Sequence, residues 1–406
     1  MRYVILGNGP AGVNAIEAIR KVDREGEIIN ISAEPYRPYS KPVMPHYVGG
    51  FIPYEGMFFR PEDFYDRYDV TPILGDGAVE IDIDRSMVIL QSGRRVPYNK
   101  LLIATGGKPR ELKVPGHDLD GIYYMTSLDY TKKIMEKLPE TKKALVLGGG
   151  PLGLKASLSL SHHGIDVKIL ISSGQVMSQV LDPDSAKILE KKLDESKVEM
   201  RLRTWVIAFE GSGGRVKQAV LNTGEKLPCD LVVIAKGVQP NLDLIDPKKI
   251  RTNVGIIVNH YMQTSRPNIY AAGDVAESYD ILTGGNNTVA VWPRATEQGY
   301  YAGMNMAGFE KPYPGAHRMN SLDFEGVSCI VMGDVKTVKK GFVVIIQKDE
   351  KRNIYQRIIL ENGRIRGAAI IGRIVNVGGI NRFIRKAVEI GRVKDALLEE
   401  KATFIY

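Results

Sequence analysis

Residues 7–12 read Gly7-Asn8-Gly9-Pro10-Ala11-Gly12, and the same spacing returns at residues 148–153 as Gly148-Gly149-Gly150-Pro151-Leu152-Gly153. Each stretch follows a short apolar run and opens a segment with helical periodicity. A G-x-G-x-x-G turn between a strand and a helix is typical of dinucleotide binding, because its glycines allow a tight turn and a close backbone approach to a pyrophosphate. Two copies predict two nucleotide sites in one chain.

The first turn is followed by the rest of a mononucleotide-binding pattern. The sequence predicts a helix over residues 11–21 and a strand over residues 27–32, and Glu34 comes soon after them. Glu34 lies 22 residues beyond Gly12, a spacing at which a carboxylate accepts hydrogen bonds from a ribose. The N-terminus of the helix offers unpaired N–H groups and the positive end of its dipole to the phosphates.

The composition indicates a cytoplasmic globular protein of two or three domains. The 406 residues are 44% hydrophobic, yet no apolar run approaches the ~18 residues of a membrane span. The chain starts directly on strand-like residues 3–6 and not on a leader peptide. The net charge of +8 is spread along the chain, which argues against a nucleic-acid partner and suits an acidic protein partner.

The cysteine and histidine content restricts the chemistry. Cys229 and Cys329 are the two cysteines, so the chain has no CxxC or CxxxxC redox pair. Cys229 precedes a buried-looking strand and is interpreted as a small hydrophobic residue. The six histidines are scattered and give no metal-binding constellation, so we expect no metal site.

Three further motifs stand at the ends of apolar strands. They are Ala104-Thr105-Gly106, Gly237-Val238-Gln239-Pro240-Asn241, and the stretch from Thr264 to Gly273-Asp274. An apolar run that stops at such a turn is typical of a buried strand whose end faces a nucleotide. Beyond the proline-rich linker 311–315, alternating apolar residues predict a small antiparallel sheet that a helix over residues 381–400 closes.

Taken in order, these five motifs resemble those of the FAD- and NAD(P)-dependent pyridine nucleotide-disulfide oxidoreductase superfamily, and the resemblance extends to about residue 310. It implies the glutathione-reductase-like α/β fold, with two Rossmann-like dinucleotide-binding domains and a small α+β C-terminal interface domain. The NAD(P)H domain, implied over residues 112–237, is inserted in an FAD domain over residues 1–111 and 238–311. The interface domain, over residues 312–406, usually makes a homodimer.

The resemblance also assigns cofactor-binding residues. For FAD it implies Gly7, Gly9, Pro10, Ala11, Gly12, Glu34, Pro35, Lys41, Pro42, Val79, Ala104, Thr105, Gly106, Gly273, Asp274, Trp292, Ala295 and Thr296. For NAD(P)H it implies Gly148, Gly150, Pro151, Leu152, Gly153, Ser172 and Gly237. In this family the aspartate of the Gly-Asp motif binds the ribityl and phosphate region of the flavin, which implies that role for Asp274. The resemblance also implies a helix that begins near Trp292 and directs its positive end at the flavin.

One branch of the superfamily is closer than the others. The stretch Pro38-Tyr39-Ser40-Lys41-Pro42 resembles the signature of rubredoxin reductases, ferredoxin reductases and NADH oxidases. In thiol-dependent relatives a redox cysteine stands about where this chain has Pro42. We therefore expect no thiol relay, unless Cys329 is brought in from the C-terminal segment, and electrons must rest on the flavin itself.

The candidate catalytic residues are Lys155, His46 and Lys41. Ferredoxin reductases of this branch pair a lysine with a glutamate near flavin N5, and the resemblance places His46 and Lys155 at those positions. The hypothesis is that Lys155 adds positive charge favouring reduced flavin and that His46 is its proton partner, because histidine titrates near neutrality. The alternative is that Lys155 points to solvent and His46 only packs.

The nicotinamide preference rests on the end of the strand predicted over residues 167–171, which is the second strand of the second βαβ unit. Ser172 and Ser173 stand there, where an NAD site usually has an acid, and no arginine cluster follows. A serine pair is a poor phosphate clamp, so NADH is favoured, although neither nicotinamide is excluded.

We therefore expect an FAD-dependent NAD(P)H:acceptor oxidoreductase that exchanges electrons, in either direction, with an acidic rubredoxin- or ferredoxin-type carrier. Two alternatives stay open. One is an NADH oxidase that gives its electrons to O₂ and makes peroxide, and the other is an NADH-sensing flavoprotein whose assembly responds to the nicotinamide.

Overall fold

The strand before the first glycine turn lies inside a parallel sheet. In the computed structural model, which describes residues 1–349, 351–374 and 376–390, β1 (Arg2–Leu6) is buried over four of its five residues. It pairs in parallel with β2 (Glu27–Ser32) on one side and with β7 (Lys100–Ile103) on the other. The chain passes from β1 to β2 through α1 (Pro10–Val22), whose apolar face is buried. The predicted strand, turn, helix and second strand are therefore present.

The other elements follow in chain order. The remaining α-helices of the described residues are α2 (Met44–Val48), α3 (Phe64–Arg67), α4 (Leu128–Lys137), α5 (Pro151–Ser161), α6 (Pro183–Glu195), α7 (Trp292–Met306) and α8 (Val377–Lys386). The remaining strands up to residue 240 are β3 (Val70–Leu74), β4 (Ala78–Asp82), β5 (Met87–Leu90), β6 (Arg95–Pro97), β8 (Gly107–Pro109), β9 (Ile122–Tyr124), β10 (Lys143–Leu147), β11 (Asp166–Ile171), β12 (Glu199–Leu202), β13 (Val206–Ser212), β14 (Arg215–Leu221), β15 (Lys226–Pro228), β16 (Leu231–Ile234) and β17 (Val238–Pro240). The later strands are β18 (Ile256–Ile257), β19 (Ile269–Ala271), β20 (Ala276–Asp280), β21 (Gly285–Asn287), β22 (Met319–Phe324), β23 (Val327–Gly333), β24 (Val343–Asp349), β25 (Ile354–Glu361) and β26 (Arg364–Gly372).

The first of two units comprises Met1–Ser40, Tyr54–Lys108 and Val238–Ala316. Its main sheet has the strand order β19-β7-β1-β2-β3, and all neighbours are parallel. Smaller sheets of order β4-β5-β6 and β18-β20-β21 complete it.

Within this unit α7 packs closely along α1. A Cβ atom at Gly299 would lie 2.1 Å from the carbonyl oxygen of Ala11, and one at Gly303 would lie 2.4 Å from that of Ala15. The two glycines therefore let the helix backbones touch. Because Gly299 meets Ala11 and Gly303 meets Ala15, the helices run in the same direction, and their N-termini lie at the same end.

The second unit comprises Lys41–Pro53, Pro109–Gly237 and the chain from His317. Its parallel sheet has the order β12-β11-β10-β16-β9, and α5 connects β10 to β11. The short helix α2 packs against α4 and α5. These two units group the segments differently from the three predicted domains, whose limits stay a prediction.

The C-terminal segment of the second unit forms an antiparallel sheet of order β22-β23-β26-β25-β24. This sheet and the two parallel sheets confirm the predicted fold class. The helix expected over residues 381–400 begins earlier, at Val377, and ends at Lys386. Residues 391–400 of that prediction lie outside the described residues.

Candidate dinucleotide sites

The first glycine turn has the geometry of a phosphate cradle. Gly7 has φ +117°, and a Cβ there would lie 2.1 Å from the carbonyl oxygen of Ala104. A Cβ at Gly12 would lie 2.1 Å from the carbonyl oxygen of Gly7, whereas a Cβ at Gly9 would meet nothing within 4 Å. Gly7 and Gly12 are thus required by packing, and Gly9 faces open space. Helix α1 begins at Pro10 without a side-chain cap, so its first N–H groups are available to a phosphate.

The predicted ribose acid is held in place by a neighbouring tyrosine. The hydroxyl of Tyr39 donates to the Glu34 carboxylate, with its oxygen 2.9 Å from both Oε1 and Oε2. Tyr65, whose pKa burial raises to about 12, donates to Oδ1 of Asn8 at 2.8 Å, and Nδ2 of Asn8 donates to the carbonyl oxygen of Tyr36 at 3.0 Å. The loop after β2 is therefore fixed beside the glycine turn. The sequence reading missed Tyr39 and Tyr65 as supports of the site.

The Gly273-Asp274 motif comes to the same place. Gly273 has φ +81°, and a Cβ there would lie 3.2 Å from that of Ala11 and 3.6 Å from that of Ala295. Its N–H donates to Oε1 of Gln298, which belongs to α7, at 2.7 Å. The motif, the start of α1 and the start of α7 therefore converge, and the orphan N–H groups at the uncapped start of α7 supply positive potential there.

A buried polar network supports this arrangement. Nε2 of Gln298 donates to Oγ of Ser278 at 2.7 Å, and Nη2 of Arg294 donates to the same oxygen at 2.9 Å. Arg294 and Gln298 are 3% and 1% exposed. They stand four residues apart on α7, which is the one signal in the sequence that could have suggested a shared role. The Gln298 carboxamide is thus held in one orientation, in which its oxygen accepts from the Gly273 N–H and fixes that backbone.

The other residues predicted for FAD vary in exposure, and all except Lys41 and Pro42 lie in the first unit. Oγ1 of Thr105 donates to the carbonyl oxygen of Asn241 at 3.1 Å, which ties the Ala104-Thr105-Gly106 turn to the Gly237–Asn241 motif. The indole of Trp292 is half-buried and meets the ring of Phe59 edge-on, with centroids 4.9 Å apart. Val79 is 55% exposed. The residues present fit an FAD pyrophosphate and ribose, while the individual roles stay a prediction.

The second glycine turn repeats the geometry of the first. Gly148 has φ +123°, and a Cβ there would lie 2.5 Å from the carbonyl oxygen of Ala235. A Cβ at Gly153 would lie 1.8 Å from the carbonyl oxygen of Gly148, and Gly150 faces open space. Helix α5 begins at Pro151 without a side-chain cap. The second unit therefore contains its own dinucleotide cradle, and it fits a nicotinamide nucleotide.

The structure brings Lys155 and His46 together. Nζ of Lys155 lies 3.3 Å from Nε2 of His46, and both side chains are half-buried. Burial lowers the pKa of Lys155, and Asp323 partly opposes this shift. Burial, and next the Lys155 charge, lower the pKa of His46. The two nitrogens therefore lie within hydrogen-bonding reach, and burial disfavours the charged form of both groups.

Helix α2 is attached to α5, and this attachment fixes the pair. Oγ of Ser159 donates to the carbonyl oxygen of Pro45 at 2.6 Å, and the carbonyl oxygen of Val48 lies 2.6 Å from Nε2 of His163. Lys41, by contrast, is exposed in the turn Lys41–Val43, and among the described residues no hydrogen bond joins it to the pair. The structure thus groups two of the three candidate catalytic residues.

Both cysteines are unsuited to thiol chemistry. Cys229 and Cys329 are free and buried, and burial raises the pKa of each to about 12. Each is therefore held as a neutral thiol, which is neither a nucleophile nor a redox partner. Pro42 stands in the turn at the start of the second unit. The described residues contain no group of three His, Cys, Asp or Glu side chains able to hold a metal ion. None of their helices is long and apolar enough to cross a membrane.

Comparison with known proteins gives the family. A model described as pyridine nucleotide-disulphide oxidoreductase matches residues 1–299, and one described as the rubredoxin NAD+ reductase C-terminal domain matches residues 319–388. The NADH-dependent phenylglyoxylate dehydrogenase subunit epsilon of Aromatoleum evansii is 33% identical, over 94% of this chain and 89% of the relative.

Two further similarities concern length and structure. The assimilatory nitrate reductase electron transfer subunit of Bacillus subtilis (strain 168) is 29% identical over 99% of this chain, which spans about half of that relative (51%). The crystal structure of NADH:rubredoxin oxidoreductase from Clostridium acetobutylicum has a TM-score of 0.80 and 28% identity, and the match covers 98% of both chains.

Proposed function

Since the chain belongs to the pyridine nucleotide-disulphide oxidoreductase family, we propose that it passes electrons between a nicotinamide and a small iron protein, by way of FAD and without a redox thiol. It is an FAD-dependent NAD(P)H oxidoreductase. The identity of the acceptor is the part that is proposed.

The observation that carries the proposal is the combination of two complete nucleotide cradles with two buried, neutral thiols. Gly9 and Gly150 each face open space at the start of an uncapped helix, whereas Cys229 and Cys329 are buried. A disulfide relay needs a thiolate that substrates can reach. Electrons that enter from the nicotinamide must consequently leave from the flavin.

FAD supplies a centre that takes up two electrons as a hydride and can release them singly, as one-electron iron centres require. In the forward direction NADH and two ferric centres give NAD+, two ferrous centres and one proton. The Glu34 carboxylate, fixed by Tyr39, is proposed to bind the FAD ribose. Gln298 is proposed to hold the Gly273 backbone in place, so that the adjoining Asp274 would bind the ribityl and phosphate region of FAD.

The released proton needs an acceptor, and we assign that role to the Lys155 and His46 pair. The lowered pKa keeps the imidazole of His46 in its neutral form at pH 7 and makes it a weaker base than a free imidazole, so we propose that it takes up the proton only transiently and passes it on to solvent. The Lys155 ammonium adds positive charge beside it, which is proposed to favour the anionic reduced cofactor. This role is a prediction for the two residues.

An acidic iron protein is the proposed acceptor. The match of residues 319–388 to a rubredoxin reductase C-terminal domain and the similarity to an NADH:rubredoxin oxidoreductase support it. The net charge of +8 would accelerate encounter with an acidic carrier at low salt. A cytoplasmic location belongs to the same proposal, since two free cysteines suit a reducing compartment.

The test reduces the FAD-loaded protein with NADH under anaerobic conditions and then mixes it with oxidised rubredoxin, oxidised ferredoxin or air. The proposal predicts rapid reoxidation of the flavin by one iron protein and slow reoxidation by air. Rapid reoxidation by air alone would instead identify an oxidase. Slow reoxidation by all three would identify a sensor, and either result would overturn the proposal.

A further inference from the structure

The carboxyl end of β11 is where a Rossmann-type site reads the adenosine ribose of a nicotinamide. Ser172 and Ser173 occupy that end, so no carboxylate stands directly after the strand. A carboxylate there would accept hydrogen bonds from the 2′-hydroxyl of NADH and would repel the 2′-phosphate of NADPH. This chain lacks that repulsion at these two positions.

The neighbouring strand supplies a cation at the same place. β12 pairs in parallel with β11 so that Ile171 lies opposite Leu202, and Arg203 follows directly. The N–H of Arg203 donates to the carbonyl oxygen of Ser173 at 3.0 Å. A Cβ atom on Gly174 would lie 3.5 Å from Nε and 3.6 Å from Nη2 of Arg203. The exposed guanidinium therefore lies against the loop that follows the serine pair.

This loop is attached to the second nucleotide cradle. The N–H of Met177 donates to the carbonyl oxygen of Gly149 at 2.7 Å. The N–H of Val176 donates to Oε1 of Glu190 at 3.1 Å, so this carboxylate holds the backbone of the loop. The loop that Arg203 contacts is thereby joined to the glycine turn before α5.

Arg203 differs from the other arginine of this strand edge. Arg201 pairs with the carboxylate of Glu199 and lies 3.8 Å from that of Glu225. Among the described residues no acidic side chain pairs with the guanidinium of Arg203. Its planar set of donors is therefore available to an anion, and guanidinium matches phosphate oxygens in a bidentate manner.

We propose that the guanidinium of Arg203, together with the hydroxyl of Ser172, binds the 2′-phosphate of NADPH, so that the enzyme accepts NADPH as well as NADH, while the Ser173 hydroxyl donates to the carbonyl oxygen of Gln175 at 2.9 Å and orders the loop. This inference rests on the proposed function, because it concerns the nicotinamide of the same reaction. Arg203 acts as a specificity-determining residue at the adenosine end and takes no part in hydride transfer. The signal was absent from the sequence, because Arg203 reaches the serines only through the pairing of β11 with β12.

The test measures binding of NADP+ and NAD+ to the FAD-loaded protein by titration calorimetry, with Arg203→Gln and the matched control Arg201→Gln. We expect Arg203→Gln to weaken NADP+ about tenfold, the factor that one hydrogen bond to a charged group supplies, and to leave NAD+ unchanged within about twofold. Arg201→Gln should leave both nucleotides unchanged. NADP+ affinity in the parent protein should also fall more steeply with salt than NAD+ affinity.

A second variant keeps the test decisive if Arg203→Gln lowers stability. Ser172→Glu should also weaken the binding of NADP+ and leave the binding of NAD+ unchanged, because it introduces the carboxylate that repels the 2′-phosphate. Equal losses for both nucleotides, or no loss of NADP+ in either variant, would overturn the inference. Loss of flavin absorbance on addition of NADH tests the proposed function separately in the same variants. If NADH does not reduce the flavin of the parent protein, the proposed function is wrong, and the inference about Arg203 is still decided by the binding titrations.

Discussion

Nζ of Lys155 lies 3.3 Å from Nε2 of His46, although the two residues are 109 positions apart in the chain. One side chain comes from α5, which opens at the second glycine turn, and the other from α2. Burial lowers the pKa of both groups, and the Lys155 charge lowers that of His46 further. The charge of Lys155 and the protonation of His46 are therefore coupled, because a proton on either group disfavours a proton on the other.

Replacing Lys155 with Met should raise the pKa of His46, because the substitution removes a cation that disfavours the imidazolium. The value should stay below 6.5, since burial is the larger cause of the shift. An NMR titration of the His46 ring protons measures it. Lys168→Met serves as the control because Lys168 pairs with Glu199, and it should not move His46. An unaltered His46 pKa in Lys155→Met would refute the coupling.

The stability of the protein should depend on His46 below about pH 6.5. A lowered pKa means that the folded state binds fewer protons than the unfolded state, so the free energy of unfolding rises with pH across the window below 6.5 and is lost as pH falls through it. His46→Phe should flatten this slope. Urea denaturation at pH 5, 6, 7 and 8 measures the effect, and an identical slope in the variant would contradict it.

The glycines of the first turn should separate into two classes. Gly7→Ala should destabilise the fold by about 3 kcal/mol or more, because of its positive φ and the contact with the Ala104 carbonyl. Gly9→Val should leave the free energy of unfolding of the apoprotein nearly unchanged and weaken FAD binding, because its side chain would enter the open cradle. Chemical denaturation and FAD titration of the apoprotein measure the two effects. Equal destabilisation by both substitutions would contradict the assignment.

Gln298→Met should weaken FAD binding through the Gly273 backbone. The substitution leaves a buried N–H without its partner, which costs about 1–3 kcal/mol. If Gln298 positions the site, FAD affinity and the flavin reduction potential should both change. A loss of stability with unchanged affinity and unchanged potential would reduce Gln298 to a packing residue.

The native protein should resist thiol reagents. Burial raises the pKa of Cys229 and Cys329 to about 12, so neither should react with Ellman's reagent at pH 8 until urea unfolds the chain. Both should then react. Rapid labelling of one thiol in the folded protein would show that a cysteine is accessible after all.

Local sequence patterns predicted the two nucleotide turns, because a glycine turn between a strand and a helix is determined over a few residues. The spacing from the turn also predicts Glu34 as the ribose acid, a role that stays a prediction, whereas its hydrogen bond from Tyr39 was not anticipated. The link between α2 and α5 was foreseen only through the resemblance that placed His46 and Lys155 together.

Arg203 could not be predicted from spacing. It lies beside Ser173 because β11 and β12 are adjacent strands, while helix α6 separates them in sequence. The helix predicted from residue 381 begins at Val377 in the structure. The prediction placed its start too late because Gly378 and Gly379 have low helix propensity. Contacts that depend on strand order or on tertiary packing are the ones that a sequence pattern leaves open.

The central claim is that electrons leave from the flavin without passing through a cysteine. The most direct test is an anaerobic titration of oxidised rubredoxin with NADH in the presence of the FAD-loaded Cys229→Ala/Cys329→Ala protein, with flavin absorbance confirming that the variant is folded and loaded. The predicted result is two rubredoxins reduced per NADH, at a rate within about twofold of the parent protein. Loss of rubredoxin reduction in a variant whose flavin is still bleached by NADH would contradict the claim.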